Sequence, residues 1–157
     1  MFRYVGTLVF AFSAVALGAA GDVSKVNGSI DVAAGQQAGD VSTVNGKLTL
    51  RRGARVEGRL ENVNGDFVLE GATVGRGIET VSGDVLVGAG SRVENGIHVE
   101  KNRGRSWSKS DRPRVTIESG AVVNGTLQFE REVDLYLGAG AVVGPIEGVV
   151  PQRHSLP

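Results

Sequence analysis

The triplet Val26-Asn27-Gly28 returns as Val44-Asn45-Gly46, Val63-Asn64-Gly65 and Val81-Ser82-Gly83, at steps of 18, 19 and 18 residues. A second motif runs alongside it: Gly53-Ala54-Arg55-Val56 reappears as Gly71-Ala72-Thr73-Val74, Gly90-Ser91-Arg92-Val93, Gly120-Ala121-Val122-Val123 and Gly140-Ala141-Val142-Val143. Self-similarity at so short a period marks a repeat architecture in which each unit stacks on its neighbours. Six units follow: 21–38, 39–57, 58–75, 76–94, 95–124 and 125–144.

Aliphatic residues keep columns through these units. Val23, Val41, Leu60, Ile78, Ile97 and Leu127 form one; Ile30, Leu48, Phe67 and Val85 form another; Val32, Leu50, Leu69 and Val87 form a third. One residue separates the last two columns, as in Ile30-Asp31-Val32, so both flanking side chains point the same way from a short strand while the middle one faces out. Asn-Gly between apolar runs is also a hairpin signal. A meander would reverse the pattern on alternate strands, whereas every unit here reads in the same order, which predicts parallel stacking of like residues. The expected fold is all-β: a single-stranded parallel β-helix (β-solenoid) of about six 18–19-residue triangular coils, with rungs about 4.8 Å apart and a rod of roughly 30 Å. The pattern is compatible with either hand.

Composition agrees. The chain has 24 Gly and 25 Val among 157 residues but four Pro, and Gly does not recur at every third position, so collagen and Pro-Gly disorder are excluded. Val and Gly in such amounts also disfavour helix interiors. A single coil buries too few side chains to offset the ordering of its residues, so stability must come from stacking. Asn27, Asn45 and Asn64 would then form a structural ladder at one corner, with the following Gly free to take positive φ. A further spacing of six through Val26, Val32, Ala38, Val44, Leu50 and Val56 divides each coil into three faces.

With these columns and corners the chain resembles the bactofilins, which are small polymer-forming triangular β-helices, and the hexapeptide-repeat left-handed helices. The likeness covers most of residues 21–150 and rests on the Val-Asn-Gly and Gly-Ala-x-Val repeats. It also resembles the adhesin-type β-solenoid domains of bacterial envelope proteins. The N-terminus favours that second likeness, since bactofilins are as a rule cytoplasmic. Residues 1–20 read as a secretory signal peptide: Arg3, an apolar run from Tyr4 to Leu17, then Gly18-Ala19-Ala20. The run is shorter than the ~20 residues of a spanning helix. With no Cys, neither a disulfide nor a lipidated cysteine can form. The expected location is periplasmic or at the cell surface after cleavage.

Unit five is the long one, and its surplus falls where the Val-Asn-Gly corner belongs. An inserted loop at 100–114 carries Lys101, Arg103, Arg105, Lys109, Arg112 and Arg114 against Asp111, with the only tryptophan, Trp107. Its segment 101–114 is at +5 and the remainder of the chain at −5. Such a loop can bind an anionic envelope glycan or lipid through Lys101, Arg103, Arg105, Trp107, Lys109, Arg112 and Arg114, or can be a solvated insertion paired with Glu130-Arg131-Glu132 of the next coil. The overall balance of 17 basic and 17 acidic residues gives no steering toward nucleic acid.

Enzyme chemistry is not legible. Asp66 and Asp84 share a column, as do Glu61 and Glu79, but outward strand positions are ordinarily solvated and the repeated Gly-x-Gly-x-Asp calcium pattern is missing, so no metal or cofactor is assigned. The hexapeptide-repeat resemblance offers one catalytic thread, since acyltransferases of that group use a histidine as base and His98 sits just before the loop. The leading expectation is a non-enzymatic exported scaffold or adhesin-like protein. Its first coil would be open to self-association, while Pro145, Pro151 and Pro157 would interrupt hydrogen bonding at the other end and a polar tail, 151–157, would drape over the last coil.

Overall fold

The computed structural model describes residues 21–103 and 112–156 and is all-β throughout them. Three parallel sheets form the faces of a solenoid. The first face stacks Val23–Asn27, Val41–Asn45, Leu60–Asn64, Ile78–Ser82, Ile97–Val99, Leu127–Phe129 and Ile146–Gly148. The second stacks Ile30–Val32, Leu48–Leu50, Phe67–Leu69, Val85–Val87, Arg114–Ile117, Asp134–Leu137 and Gln152–Ser155; the third has six short strands, from Gln37–Ala38 to Val142–Val143. Every pairing is parallel and joins equivalent positions of successive coils, so the hairpin alternative at Asn-Gly is excluded.

The register reproduces the sequence columns: Val41 lies against Leu60, Leu60 against Ile78, Ile78 against Ile97 and Ile97 against Leu127. Leu48, Phe67, Leu69, Ile97, Leu127, Phe129 and Leu135 are fully buried along the axis. Ala38, Val56, Val74, Val93 and Val123 complete the core from the third face. Each coil thus buries a few aliphatics that touch only the coils above and below, which is the contact pattern of a one-dimensional repeat.

The three faces implied by the spacing of six are present, and at one corner its valines face outward. Val26, Val44 and Val63 are exposed, because the first-face strand runs on for five residues and its alternation turns the valine outward. The inward slot before it holds Thr43, Asn62 and Thr80. Two of these tie down the corner beneath: Asn62 Nδ2 donates to the Gly46 carbonyl at 2.9 Å and Thr43 Oγ1 to that of Gly28 at 3.4 Å. The corner glycines are obligatory. Gly46, Gly65 and Gly83 have φ between +131° and +151°, and a Cβ on any of them would lie 2.0–2.2 Å from the carbonyl oxygen of the glycine one coil earlier.

The C-terminal end also differs from expectation. Gln152–Ser155 pairs in parallel with Asp134–Leu137, so the tail extends the solenoid into a seventh turn instead of draping over it. Pro145 does not interrupt the ladder. It occupies a corner slot whose carbonyl alone serves the sheets: Leu127 N–H donates to Pro145 O at 2.8 Å, as Val41 N–H does to Arg59 O and Leu60 N–H to Gly77 O. At Asp40 and Arg59, in the same slot, the N–H goes to the side chain of Asp22 or Asp40, so a proline there costs the sheets nothing.

Candidate functional site

The distinctive chemistry gathers where the repeat loses its corner. In coil five the first-face strand ends at Val99, Glu100 takes the place that Val81 holds one coil earlier, and the chain leaves, to return at Arg112. Coil six also lacks the Val-Asn-Gly triplet. Its Arg131 is nevertheless buried, and its guanidinium donates to the Val81 carbonyl at 3.1 Å, 50 residues away. Ser82 Oγ lies at 3.5 Å from the same nitrogen. The arginine reaches across the vacated corner to satisfy a backbone acceptor that a regular coil would have covered. The sequence treats Arg131 only as part of a charged triplet; its one clue is a lone cation between two glutamates in a segment that has lost the repeat.

Of the loop residues, Arg105, Trp107 and Lys109 lie outside the described residues. The others divide into two groups. Arg112 pairs with Glu132 at 2.8 Å and lies 3.8 Å from Asp134; Arg114 sits over the Tyr136 ring at 5.3 Å, and its backbone N–H donates to Asp84 at 2.8 Å. Tyr136 in turn stacks on His154 of the last coil, centroids 4.5 Å apart. These two arginines are therefore engaged with coil six, and Arg114 with coil four as well. Lys101 and Arg103 remain exposed, Lys101 donating only its backbone N–H to Glu130 at 3.3 Å.

The asparagine corner is a chain of side-chain amides. Asn45 Nδ2 donates to Asn27 Oδ1 at 3.0 Å, and Asn64 Nδ2 to Asn45 Oδ1 at 3.1 Å. The aspartate column has a comparable duty: Asp66 accepts from the Asp84 N–H at 2.9 Å and Asp84 from that of Arg114. Carboxylates spent on backbone donors are structural caps. The glutamate column is held by one cation, Arg59, which lies 3.4 Å from Glu61 and 2.9 Å from Glu79.

His98 follows Glu79 on the outward row of the first face. Its Nε2 lies 2.9 Å from Glu130 Oε1 and its Nδ1 3.4 Å from Glu79 Oε1. The hydrogen bond from His98, together with the Lys101 N–H, holds the Glu130 carboxyl below the usual carboxylate range. Both ring nitrogens thus face carboxylates, which orients the imidazole. Glu79 and Glu100 also line a shallow groove of about 420 Å³ that runs along the corner past Val44, Val63 and Val81 to Lys25. No family model matches the chain, and no curated protein or solved structure matches it.

Proposed function

We propose that this protein is a non-enzymatic exported scaffold or adhesin-like module of the bacterial envelope that associates with itself through its first coil. One observation carries the reading, the difference between the two ends. In the first coil the inward positions Val23, Ile30, Val32 and Ala38 are aliphatic, with Lys25 in the slot that Thr43 fills one coil later, and its strands have no strand partner on their outer edges among the described residues. In the last turn the positions stacked on Leu135 and Leu137 are Arg153 and Ser155. A second chain laid on that end would have to desolvate a guanidinium, whereas at the first coil it would extend three ladders and three aliphatic columns. Two first coils meeting face to face give a closed, isologous dimer rather than a filament.

Sedimentation velocity on the form beginning at Gly21 tests this, with dimers expected as concentration rises. Val23→Arg, which puts a cation at the edge of the stacking surface, should return the protein to monomers with its β-structure circular dichroism intact. A wild type that stays monomeric at high concentration would overturn the proposal. A second reading rests on the exposed Lys101 and Arg103 at the root of the loop: recognition of an anionic envelope glycan or lipid. It predicts retention on such ligands that falls when both residues and Trp107 are replaced by alanine.

A further inference from the structure

We infer that Glu79, His98 and Glu100 form a site for a divalent transition metal of the zinc type, with Glu130 as the outer carboxylate that orients the histidine. The site does not depend on self-association. Each residue offers a ligand atom within 4.8 Å of the others, and all three are half-buried.

The geometry around His98 is the first argument. At 2.9 Å the contact between Nε2 and Glu130 Oε1 is a hydrogen bond, and because a carboxylate only accepts, Nε2 carries the proton. In the neutral ring Nδ1 then presents its lone pair to Glu79 Oε1 at 3.4 Å, one acceptor facing another. That distance is long for N–H···O, but two atoms bound at about 2.0–2.1 Å to one tetrahedral centre lie about 3.3–3.4 Å apart. An imidazole that donates one N–H to a carboxylate while turning its other nitrogen to a metal is the usual second-shell arrangement of zinc sites.

Charge is the second argument. Four carboxylates, Glu61, Glu79, Glu100 and Glu130, gather here, and among the described residues the one arginine or lysine ion-paired with them is Arg59, which bridges Glu61 and Glu79. Arg59 is on Glu79 Oε2, so Oε1 is the oxygen left for an ion. The Glu100 carboxylate has no hydrogen-bond or ion-pair partner among the described residues, although its backbone N–H is tied to the Thr80 carbonyl at 2.8 Å.

Three protein ligands leave a tetrahedral ion one open position, filled by water. A metal here would clip coil four to coil five, and through Glu130 to coil six, at the point where the insertion removes the corner. The site exists because Glu100 replaces a valine of the repeat.

Calorimetric titration of the chelator-treated protein with Zn²⁺ alone tests the site, together with the visible ligand-field bands of Co²⁺. One equivalent of Zn²⁺ should bind and raise the thermal midpoint, and Co²⁺ should give tetrahedral bands. Ca²⁺ should not compete, since imidazole disfavours it. His98→Ala and Glu100→Gln should each remove binding, and Glu130→Gln should weaken it about 10–100-fold while keeping the stoichiometry. His154→Ala, on another face, should leave it unchanged. If His98→Ala misfolds, Glu100→Gln decides, because that side chain has no other described partner. Absence of Zn²⁺ binding by the wild type at millimolar ion, or binding unaltered in Glu100→Gln, would overturn the assignment.

Discussion

Coils one to four and coils five to seven build their faces from the same inward columns but close one corner in different ways. In the early coils a valine turns outward, an asparagine or serine joins the corner row, and a glycine passes under the glycine before it. In the later coils the triplet is gone, the inward slot turns from Thr43, Asn62 and Thr80 to Val99 and Phe129, and an arginine from one coil serves a carbonyl two coils away. Wherever the corner repeats, each coil satisfies its neighbour with identical chemistry. Where it stops, satisfaction comes from single side chains, and those places hold the clustered charges.

Substitutions can break this contrast, and the largest effect belongs to the regular corner. Gly65→Ala combines φ of +140° with a Cβ 2.1 Å from the Gly46 carbonyl, and should cost at least about 3 kcal/mol in chemical denaturation. Gly140→Ala, in coil six, has φ of +79° but nothing within 4 Å, and should cost about 1–2 kcal/mol. Equal losses would mean that the close approach of stacked glycines at the Val-Asn-Gly corner adds nothing to the cost of positive φ.

Arg131→Met tests the irregular half. It removes a charged donor from a buried carbonyl and should cost about 2 kcal/mol, with hydrogen exchange quickening at the coil four corner and in coil six before it does in coils one to three. Smaller again is Asn45→Ala, which deletes both amide bonds of the middle rung and should lose about 1 kcal/mol. Asn27→Ala removes only one and should lose about half as much.

The smallest effect is on pH dependence. Hydrogen bonds from Arg92 and Asn124 hold the Glu94 carboxyl below its ordinary value of 4.5. A carboxyl lowered on folding contributes stability that is present above the unfolded value and is lost as pH falls through the folded one. Glu94→Gln should therefore lower the thermal midpoint slightly at neutral pH and flatten its drop below pH 4.5. An unchanged acid limb would show that this exposed pair contributes nothing.

The columns are legible because a parallel solenoid places each residue on its counterpart, so a period in the sequence is a register in space. Val41, Leu60 and Ile78 align by that period alone, and the sheets pair them as it dictates. Three features escape that logic. The outward turn of Val26, Val44 and Val63 depends on how far a strand continues past its last paired aliphatic, which the period does not state. The seventh turn escapes because the inward positions of its second face are Arg153 and Ser155, and an apolar pattern cannot announce a polar cap. The His98 cluster escapes because its members sit on three successive coils and in two columns, with Glu130 lying 32 residues beyond the histidine. The basic residues of the loop are plain in the sequence, and so is the pairing of Arg112 with Glu132, but the place of Arg114 over Tyr136 is not.

Arg131 also sets a length. A coil added or lost among the first four would be accommodated by its neighbours, since each hands on the same asparagine, glycine and aliphatic positions it receives. Between Val81 and Arg131 no such freedom exists, because the side chain spans one fixed number of rungs and its acceptor must lie at the end of that span. The molecule is thus extensible on one side of coil four and gauged on the other, and lineages that vary in coil number should do so before residue 81.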